Sequence, residues 1–107
     1  HMIDQITTDQ LHERMAGPGV TLLDVREVHE FSEGHVPGAI NIPLSLVPVR
    51  VHELPTAGDL VVICRSGSRS QQACMWLANQ GRTATNVTGG TVDWIASGRP
   101  VEMGVPA

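Results

Sequence analysis

Lysine is absent from the 107-residue sequence, so arginine supplies all seven basic side chains against eleven acidic ones. The net charge is −4, and the arginines are scattered along the chain apart from Arg65 and Arg69. Surfaces that bind nucleic acids are basic and carry clustered lysine and arginine side chains. The composition therefore argues against a nucleic-acid partner.

Long apolar runs are absent as well. No segment approaches the ~18 consecutive apolar residues that a membrane-spanning helix needs, and no basic region followed by an apolar core marks a secretory signal. We therefore expect no membrane association. A cytoplasmic location is the default expectation, and a signal peptide removed from the natural N-terminus is the alternative. His1-Met2 is typical of an expression-vector remnant, so the predicted single domain comprises residues 3–107.

Cysteine is scarce, with Cys64 and Cys74 as the two examples. Two cysteines are too few for a disulfide framework, and they lack the spacing and neighbouring histidines of a zinc site. The sequence therefore predicts no metal site, and it makes a free, functional thiol plausible. The alternative for either cysteine is a small, buried apolar side chain.

The order of apolar and amphipathic segments predicts the fold class. Short apolar runs alternate with amphipathic segments, and glycine or proline separates them, which is typical of an α/β fold with a largely parallel sheet. The predicted strands are 21–25, 39–43, 60–64 and 84–88. The predicted helices begin near Thr8 behind a capping box, span 28–33, run from a cap at Ser45 to about Leu54, and span 68–80 and 91–97.

Cys64 ends the most apolar of these strands. Its sequence, LVVIC over residues 60–64, is continuously apolar and β-branched, as in a central parallel strand that is covered on both faces. Ligands bind at the carboxyl edge of such sheets. The sequence Arg65-Ser66-Gly67-Ser68-Arg69 follows, and the backbone N–H groups of such a loop can form an anion-binding nest at a helix N-terminus. The sequence thus predicts an anion site around the sulfur and a lowered thiol pKa.

Three segments carry a family resemblance. ICRSGSRS (63–70) strongly resembles the active-site loop of rhodanese-type sulfurtransferase domains. LLDVREVHEFSEGHVPGAINIPL (22–44) is similar to the first signature of that family, and VTGGTVDWIASGRPVE (87–102) to its C-terminal signature. The resemblance implies a rhodanese-like α/β fold, with a five-stranded parallel sheet flanked by helices on both faces, and it implies no cofactor.

The resemblance also implies a reaction. Cys64 would be the catalytic residue, and it would carry a persulfide between two half-reactions in ping-pong covalent catalysis. The donor would be thiosulfate or a related small anion, and the acceptor a thiol or cyanide; a thiol-bearing acceptor protein is a further expected partner. Backbone N–H groups of residues 64–69 would bind the outer sulfur, while Arg65 and Arg69 attract the donor. The substrate-binding residues implied in this way are Arg65, Ser66, Gly67, Ser68 and Arg69.

Two alternatives to this interpretation remain open. In the first, the same fold is a non-catalytic persulfide carrier or a protein-recognition module. In the second, the loop serves phosphoryl transfer. Rhodanese-like phosphatases place their arginine after five intervening residues, whereas Arg69 follows Cys64 after four. The shorter loop favours sulfur over the larger phosphate.

The other candidate residues are interpreted as structural. We expect Asp24 and Arg26 to form a structural ion pair or to anchor a loop, and the functional alternative places them in the wall of the pocket. Glu33 and His35 are expected to fix the turn into Pro37-Gly38. A thiolate that the loop stabilises needs no general base, so no histidine is a catalytic candidate. Three further expectations concern packing: Cys74 faces the sheet, Trp94 anchors the core, and Gly89-Gly90 leaves room beside the active-site loop.

Overall fold

The computed structural model describes residues 2–106. Its strands are β1 (Gln5–Ile6), β2 (Val20–Asp24), β3 (Ile40–Asn41), β4 (Asp59–Ile63) and β5 (Thr85–Val87). Its α-helices are α1 (Thr8–Met15), α2 (Val28–Glu33), α3 (Val47–Arg50), α4 (Ser68–Asn79) and α5 (Gly90–Ala96), and 3-10 turns over Leu44–Leu46 and Val51–Glu53 flank α3. The strands form one parallel sheet in the order β1-β5-β4-β2-β3. The predicted α/β fold with a five-stranded parallel sheet is confirmed.

Strand β4 lies at the centre of the sheet, as its apolar sequence predicts. Successive side chains of a strand point to opposite faces, so β4 contributes to two apolar clusters. Val61 packs in one cluster with Leu11 of α1 and Trp94 of α5, and Val62 packs in the other with Leu77 of α4. Helices therefore cover both faces of the strand that leads to Cys64.

The start of α1 has the predicted capping box. The Thr7 hydroxyl accepts a hydrogen bond from the Gln10 N–H at 3.1 Å, and the Gln10 side chain accepts one from the Thr7 N–H at 2.8 Å. Each bond satisfies a backbone donor that has no partner within the helix. The helix begins at Thr8, as predicted.

Four local predictions are wrong or incomplete. Strand β1 was not among the predicted strands, and β3 is only two residues long. Ser45 does not cap a long helix, because it lies inside a 3-10 turn and α3 begins at Val47. Pro48 lies in the first turn of α3, where its missing N–H costs no helical hydrogen bond. Gly90 is the first residue of α5 rather than part of the turn before it.

The ends of the predicted domain fall partly beyond the described residues. His1 of the predicted vector remnant and Ala107 at the predicted domain end lie outside residues 2–106. Within that range, no helix combines the length and the apolar character that crossing a bilayer requires.

Candidate active site

Cys64 follows the last residue of β4, at the carboxyl edge of the central strand. The chain turns through the next three residues, and α4 begins at Ser68. Gly67 caps that helix with φ at +117°, a backbone conformation that glycine adopts without strain. Cys64 is only 1% exposed, so the turn leaves little of it in contact with solvent.

The Cys64 sulfur is a hydrogen-bond acceptor for the turn and for the helix behind it. The Gly67 N–H donates to Sγ at 3.1 Å, and the Ser70 hydroxyl donates at 3.2 Å. Burial alone would raise the pKa of the thiol, because it disfavours the charged form. The Ser70 hydroxyl and the N–H groups of Ser70, Gly67 and Ser66 outweigh burial and lower the pKa of Cys64 below its ordinary value. The site therefore favours a thiolate, as the sequence predicts.

The N-terminus of α5 holds the turn from the other side. The Thr91 N–H and hydroxyl both donate to the Cys64 carbonyl at 3.0 Å, and the Val92 N–H donates to the Arg65 carbonyl at 3.0 Å. The C=O and N–H of a trans peptide point in opposite directions. Binding of the Arg65 carbonyl to α5 therefore turns the Ser66 N–H away from α5, and that N–H is one of the donors to the sulfur.

Gly90 allows this close approach. A Cβ atom built at Gly90 would lie 2.6 Å from the carbonyl oxygens of Cys64 and Arg65, and the residue has φ at +56°. Both the space and the backbone conformation therefore require glycine. The expectation that Gly89-Gly90 makes room beside the active-site loop is confirmed at Gly90.

The two arginines of the loop have different surroundings. Arg69 forms a two-pronged ion pair with Glu30 of α2, with Nη1 at 2.7 Å from Oε1 and Nη2 at 2.9 Å from Oε2. Arg65 is exposed and forms no ion pair with residues 2–106. The loop thus carries one paired and one unpaired guanidinium.

Glu30 is held firmly in its charged form. The hydrogen bonds from Arg69 lower the pKa of Glu30 to about 2, against the opposing effect of burial, and the Glu27 N–H adds a further hydrogen bond. The same ion pair raises the pKa of Arg69. Both partners are therefore fully charged over the whole neutral range.

An open cleft of about 310 Å³ lies beside the loop. Arg65 and the apolar side chains of Val92 and Ile95 border it, and Glu30 and Glu33 line it from α2. A larger cavity of about 650 Å³ lies elsewhere, against β3 and the C-terminal segment, and no residue of the loop lines it. The smaller cleft is therefore the one that adjoins the predicted chemistry.

Asp24 and Arg26 form the buried ion pair that the sequence predicts. Arg26 Nη2 donates to Asp24 Oδ2 at 2.8 Å and to the Gly34 carbonyl at 2.9 Å. Arg26 Nη1 also donates to the Glu30 carbonyl at 3.3 Å. These contacts tie the end of β2 to the middle of α2 and to its C-cap, so the pair positions the helix that carries Glu30.

His35 lies just before the turn into Pro37-Gly38, and its contacts are structural. Its Nδ1 lies 2.8 Å from the Phe31 carbonyl oxygen, and its ring stacks on the Phe31 ring with centroids 3.6 Å apart. A carbonyl only accepts hydrogen bonds, so Nδ1 carries a proton here. The His35 backbone pairs with Glu102 in an antiparallel bridge, which fastens the C-terminal segment. His35 makes no hydrogen bond to Cys64.

The predictions for the remaining core residues are confirmed. Cys74 is completely buried against the sheet, and burial, reinforced by the charge of Cys64, raises the pKa of Cys74 to about 12. Trp94 is 3% exposed, and its indole N–H donates to the Pro100 carbonyl at 2.9 Å. Among residues 2–106, no three histidine, cysteine or acidic side chains lie close enough together to hold a metal ion.

The sequence did not indicate the roles of Ser70, Glu30 and Thr91. Ser70 lies in the first turn of α4, and its spacing from Cys64 was the one available signal, because the first turn of a helix after a strand-end cysteine faces that cysteine. Glu30 is 39 residues from Arg69 in the chain, so no local pattern indicates their contact. Thr91 acts through the Cys64 backbone, which a sequence motif does not reveal.

Comparisons with known proteins show which family the chain resembles. The family model described as the rhodanese-like domain matches residues 7–97. A sulfurtransferase from Allochromatium vinosum is 38% identical over 102 residues, which cover 94% of this chain and 95% of the relative. The putative sulfurtransferase YtwF of Bacillus subtilis is 37% identical over 99 residues, which cover 92% of this chain and 96% of the relative.

The chain also resembles a solved structure and a relative that is named as a sulfur carrier. The rhodanese-related protein from Thermoplasma volcanium superposes with a TM-score of 0.84 at 35% identity, over 92% of this chain and 96% of that one. The putative sulfur carrier protein YrkF of Bacillus subtilis is 34% identical over 86% of this chain, which corresponds to 51% of the relative. Full-length similarity thus extends to proteins named as transferases, and partial similarity to one named as a carrier.

Proposed function

Because the chain belongs to the rhodanese-like domain family of sulfurtransferases, we propose that it is a thiosulfate sulfurtransferase that works through a persulfide on Cys64. The donor is thiosulfate or a related small anion that carries a sulfane sulfur. The acceptor is a thiol or cyanide, and a protein thiol belongs to the same class. Cys64 is the nucleophile. The backbone N–H groups of residues 65–69 bind the donor, and the charge of the loop attracts it.

The reaction has two half-reactions that balance. The Cys64 thiolate attacks the outer sulfur of thiosulfate, the S–S bond of the donor breaks, and sulfite leaves with the electron pair. Cys64 then carries a persulfide anion. In the second half-reaction, cyanide or a thiolate attacks the outer sulfur, and the Cys64 thiolate is regenerated as thiocyanate or a new persulfide leaves. No redox partner is needed in either step, and the proton count does not change.

The hydrogen bonds to the Cys64 sulfur are the observation that carries this proposal. The Gly67 N–H and the Ser70 hydroxyl donate to Sγ, and together with two further N–H groups they lower the pKa of the thiol. A thiolate is the reactive form of cysteine, and donors that are already oriented stabilise it without reorganisation. Ordinary buried cysteines, of which Cys74 is the example here, have a raised pKa.

The length of the loop supports sulfur rather than phosphate as the transferred group. Four residues separate Cys64 from Arg69, and three N–H groups converge on one sulfur atom. We therefore expect no hydrolysis of aryl phosphates. Hydrolysis of para-nitrophenyl phosphate at a rate comparable to sulfur transfer would contradict it.

A carrier role is the second candidate function, and the similarity to a protein named as a putative sulfur carrier favours it. Catalyst and carrier share the Cys64 persulfide and differ in turnover. The test measures thiocyanate release from thiosulfate and cyanide in the steady state, with Cys64→Ser as the inactive control and Cys74→Ser as the matched control. Many turnovers per protein would support the catalyst. One stoichiometric loading without turnover would support the carrier, and absence of any loading would contradict both.

A further inference from the structure

The electrostatic state of the loop depends on Glu30, which lies outside the loop. Both terminal nitrogens of Arg69 are engaged by the Glu30 carboxylate, at 2.7 and 2.9 Å. The side chains are 31% and 22% exposed, so solvent screens the pair only in part. At distances beyond the pair itself, the positive charge of Arg69 is largely cancelled by the negative charge of Glu30.

The other charged groups near the loop leave Arg65 as the unpaired cation. Arg26 is paired with the buried carboxylate of Asp24. Arg65 directly follows Cys64, borders the cleft and has no acidic partner within residues 2–106. Glu33 lines the same cleft, is exposed and takes part in no ion pair within those residues. An approaching donor therefore meets Arg65 as the principal positive group.

Resting on the sulfur transfer proposed above, we infer that Glu30 determines the charge selectivity of the site by neutralising Arg69. Glu30 contacts no reacting atom, so it is a positioning residue that acts through Arg69. Coulomb energy scales with the product of the charges, so one extra positive charge at the loop favours a dianionic donor twice as much as a monoanionic one. By removing that charge, Glu30 limits the advantage of dianions and admits donors that carry a single charge.

Two donors of known charge test this inference. Thiosulfate is a dianion, and methanethiosulfonate is a monoanion that gives the same Cys64 persulfide when methanesulfinate leaves with the electron pair. The measured quantity is kcat/KM for each donor with cyanide as the acceptor, at low ionic strength. We expect Glu30→Gln to raise the thiosulfate-to-methanethiosulfonate ratio of kcat/KM about threefold, as one added unit charge in largely aqueous surroundings predicts. Added salt should shrink that change.

Arg69 provides the reciprocal test. Arg69→Met leaves the Glu30 carboxylate without a partner, so the ratio should fall about threefold. The double variant Glu30→Gln, Arg69→Met removes both charges, so its ratio should return to that of the unaltered protein. If the double variant does not restore the ratio, the Arg69 guanidinium contacts the donor directly and the inference is wrong.

Two matched variants separate this account from a general effect of charge or of stability. Glu33→Gln removes the same charge from the same cleft without touching Arg69, so its effect on the ratio should be smaller than that of Glu30→Gln. Glu30→Asp keeps the charge, so its ratio should stay close to that of the unaltered protein even if the protein is less stable. An equal effect of Glu33→Gln, or an unchanged ratio in Glu30→Gln, would overturn the inference.

The outcomes also distinguish this inference from the proposed function. If both donors transfer sulfur to Cys64 but the ratio of kcat/KM values is the same in Glu30→Gln and the unaltered protein, the proposed function stands and the inference fails. If neither donor loads sulfur onto the unaltered protein, both fail. Circular dichroism shows whether Glu30→Gln is folded. If it is not, the other two variants test the inference, which requires that the kcat/KM ratio falls in Arg69→Met and stays unchanged in Glu30→Asp.

Discussion

The Ser70 hydroxyl lies 3.2 Å from Cys64 Sγ and 3.2 Å from the Gly67 carbonyl oxygen. A hydroxyl has one proton, so Ser70 donates to one of these two acceptors at a time. A charged acceptor forms the stronger hydrogen bond, so the Ser70 hydroxyl donates to the sulfur when Cys64 is a thiolate. Ser70 is therefore the side chain that responds to the charge of the sulfur.

Removing this hydroxyl should make the thiolate less stable. Ser70→Ala should raise the pKa of Cys64 and lower kcat/KM for the donor about tenfold at neutral pH, as expected for one hydrogen bond to a charged group. Thiolate absorbance followed against pH measures the change, and Cys74, with its pKa at about 12, does not interfere near neutrality. Ser70→Thr, which keeps the hydroxyl, should recover most of the loss. An unchanged midpoint in Ser70→Ala would show that the backbone N–H groups suffice.

Cys74 should have no part in the chemistry. It is completely buried and its thiol stays protonated near neutral pH, so Cys74→Ser should keep most of the sulfur transfer. The variant should lose about 1 to 3 kcal/mol of unfolding free energy, because a hydroxyl replaces an apolar thiol in the core. Cys74→Ala should show the same activity without that hydroxyl. Loss of sulfur transfer in a folded Cys74→Ala protein would place Cys74 in the mechanism.

Gly90 allows a direct test of how closely α5 must approach the loop. In Gly90→Ala the new methyl group would overlap the carbonyl oxygens of Cys64 and Arg65, whereas a Cβ at Gly98 would meet nothing within 4 Å. Both glycines have positive φ, so each alanine costs about 1 to 2 kcal/mol from backbone strain. Gly90→Ala should cost about 2 kcal/mol more and reduce sulfur transfer. Equal unfolding free energies for the two variants would contradict the close approach.

The Glu30 to Arg69 ion pair should appear in the acid stability of the protein. The pKa of Glu30 falls from 4.5 to about 2 on folding, so its stabilising effect is complete above about pH 4.5 and disappears as the pH falls towards 2. At neutral pH, Glu30→Gln should reduce the unfolding free energy by about 1 to 2 kcal/mol. Denaturant titrations between pH 4.5 and 2 should show that the difference in unfolding free energy between Glu30→Gln and the unaltered protein disappears as the pH falls. If this difference in unfolding free energy persists near pH 2, the lower stability of Glu30→Gln comes from changed packing and not from the ion pair.

The residue patterns predicted four of the five strands and the place of Cys64, because these depend on local signals. The fifth strand was expected only from the family resemblance. Residues 60–64 are continuously apolar, and the small residues after them mark the turn to α4. The chain position of Cys64 at the carboxyl end of the central strand follows from these two patterns. The capping box at Thr7 is a local signal of the same kind, and it was also predicted correctly.

What the sequence did not reveal depends on distant parts of the chain. Strand β1 has two residues, and it exists because Gln5 and Ile6 pair with Asn86 and Val87 of β5. A pair of residues is too short to show a strand pattern. Arg69 looks like a free cation in the sequence, whereas the fold pairs it with Glu30 of α2. The pairing of charges around the sulfur therefore could not be predicted from the sequence and is seen only in the structure.

The central claim is that Cys64 carries the transferred sulfur. The most direct measurement treats the protein with thiosulfate, determines the intact mass, and locates the added sulfur by peptide mapping under non-reducing conditions, before and after addition of cyanide. We predict one added sulfur atom, on the peptide that contains Cys64, that cyanide removes and that Cys64→Ser never acquires. A sulfur found on Cys74, or a protein that gains none while it is folded, would contradict the account.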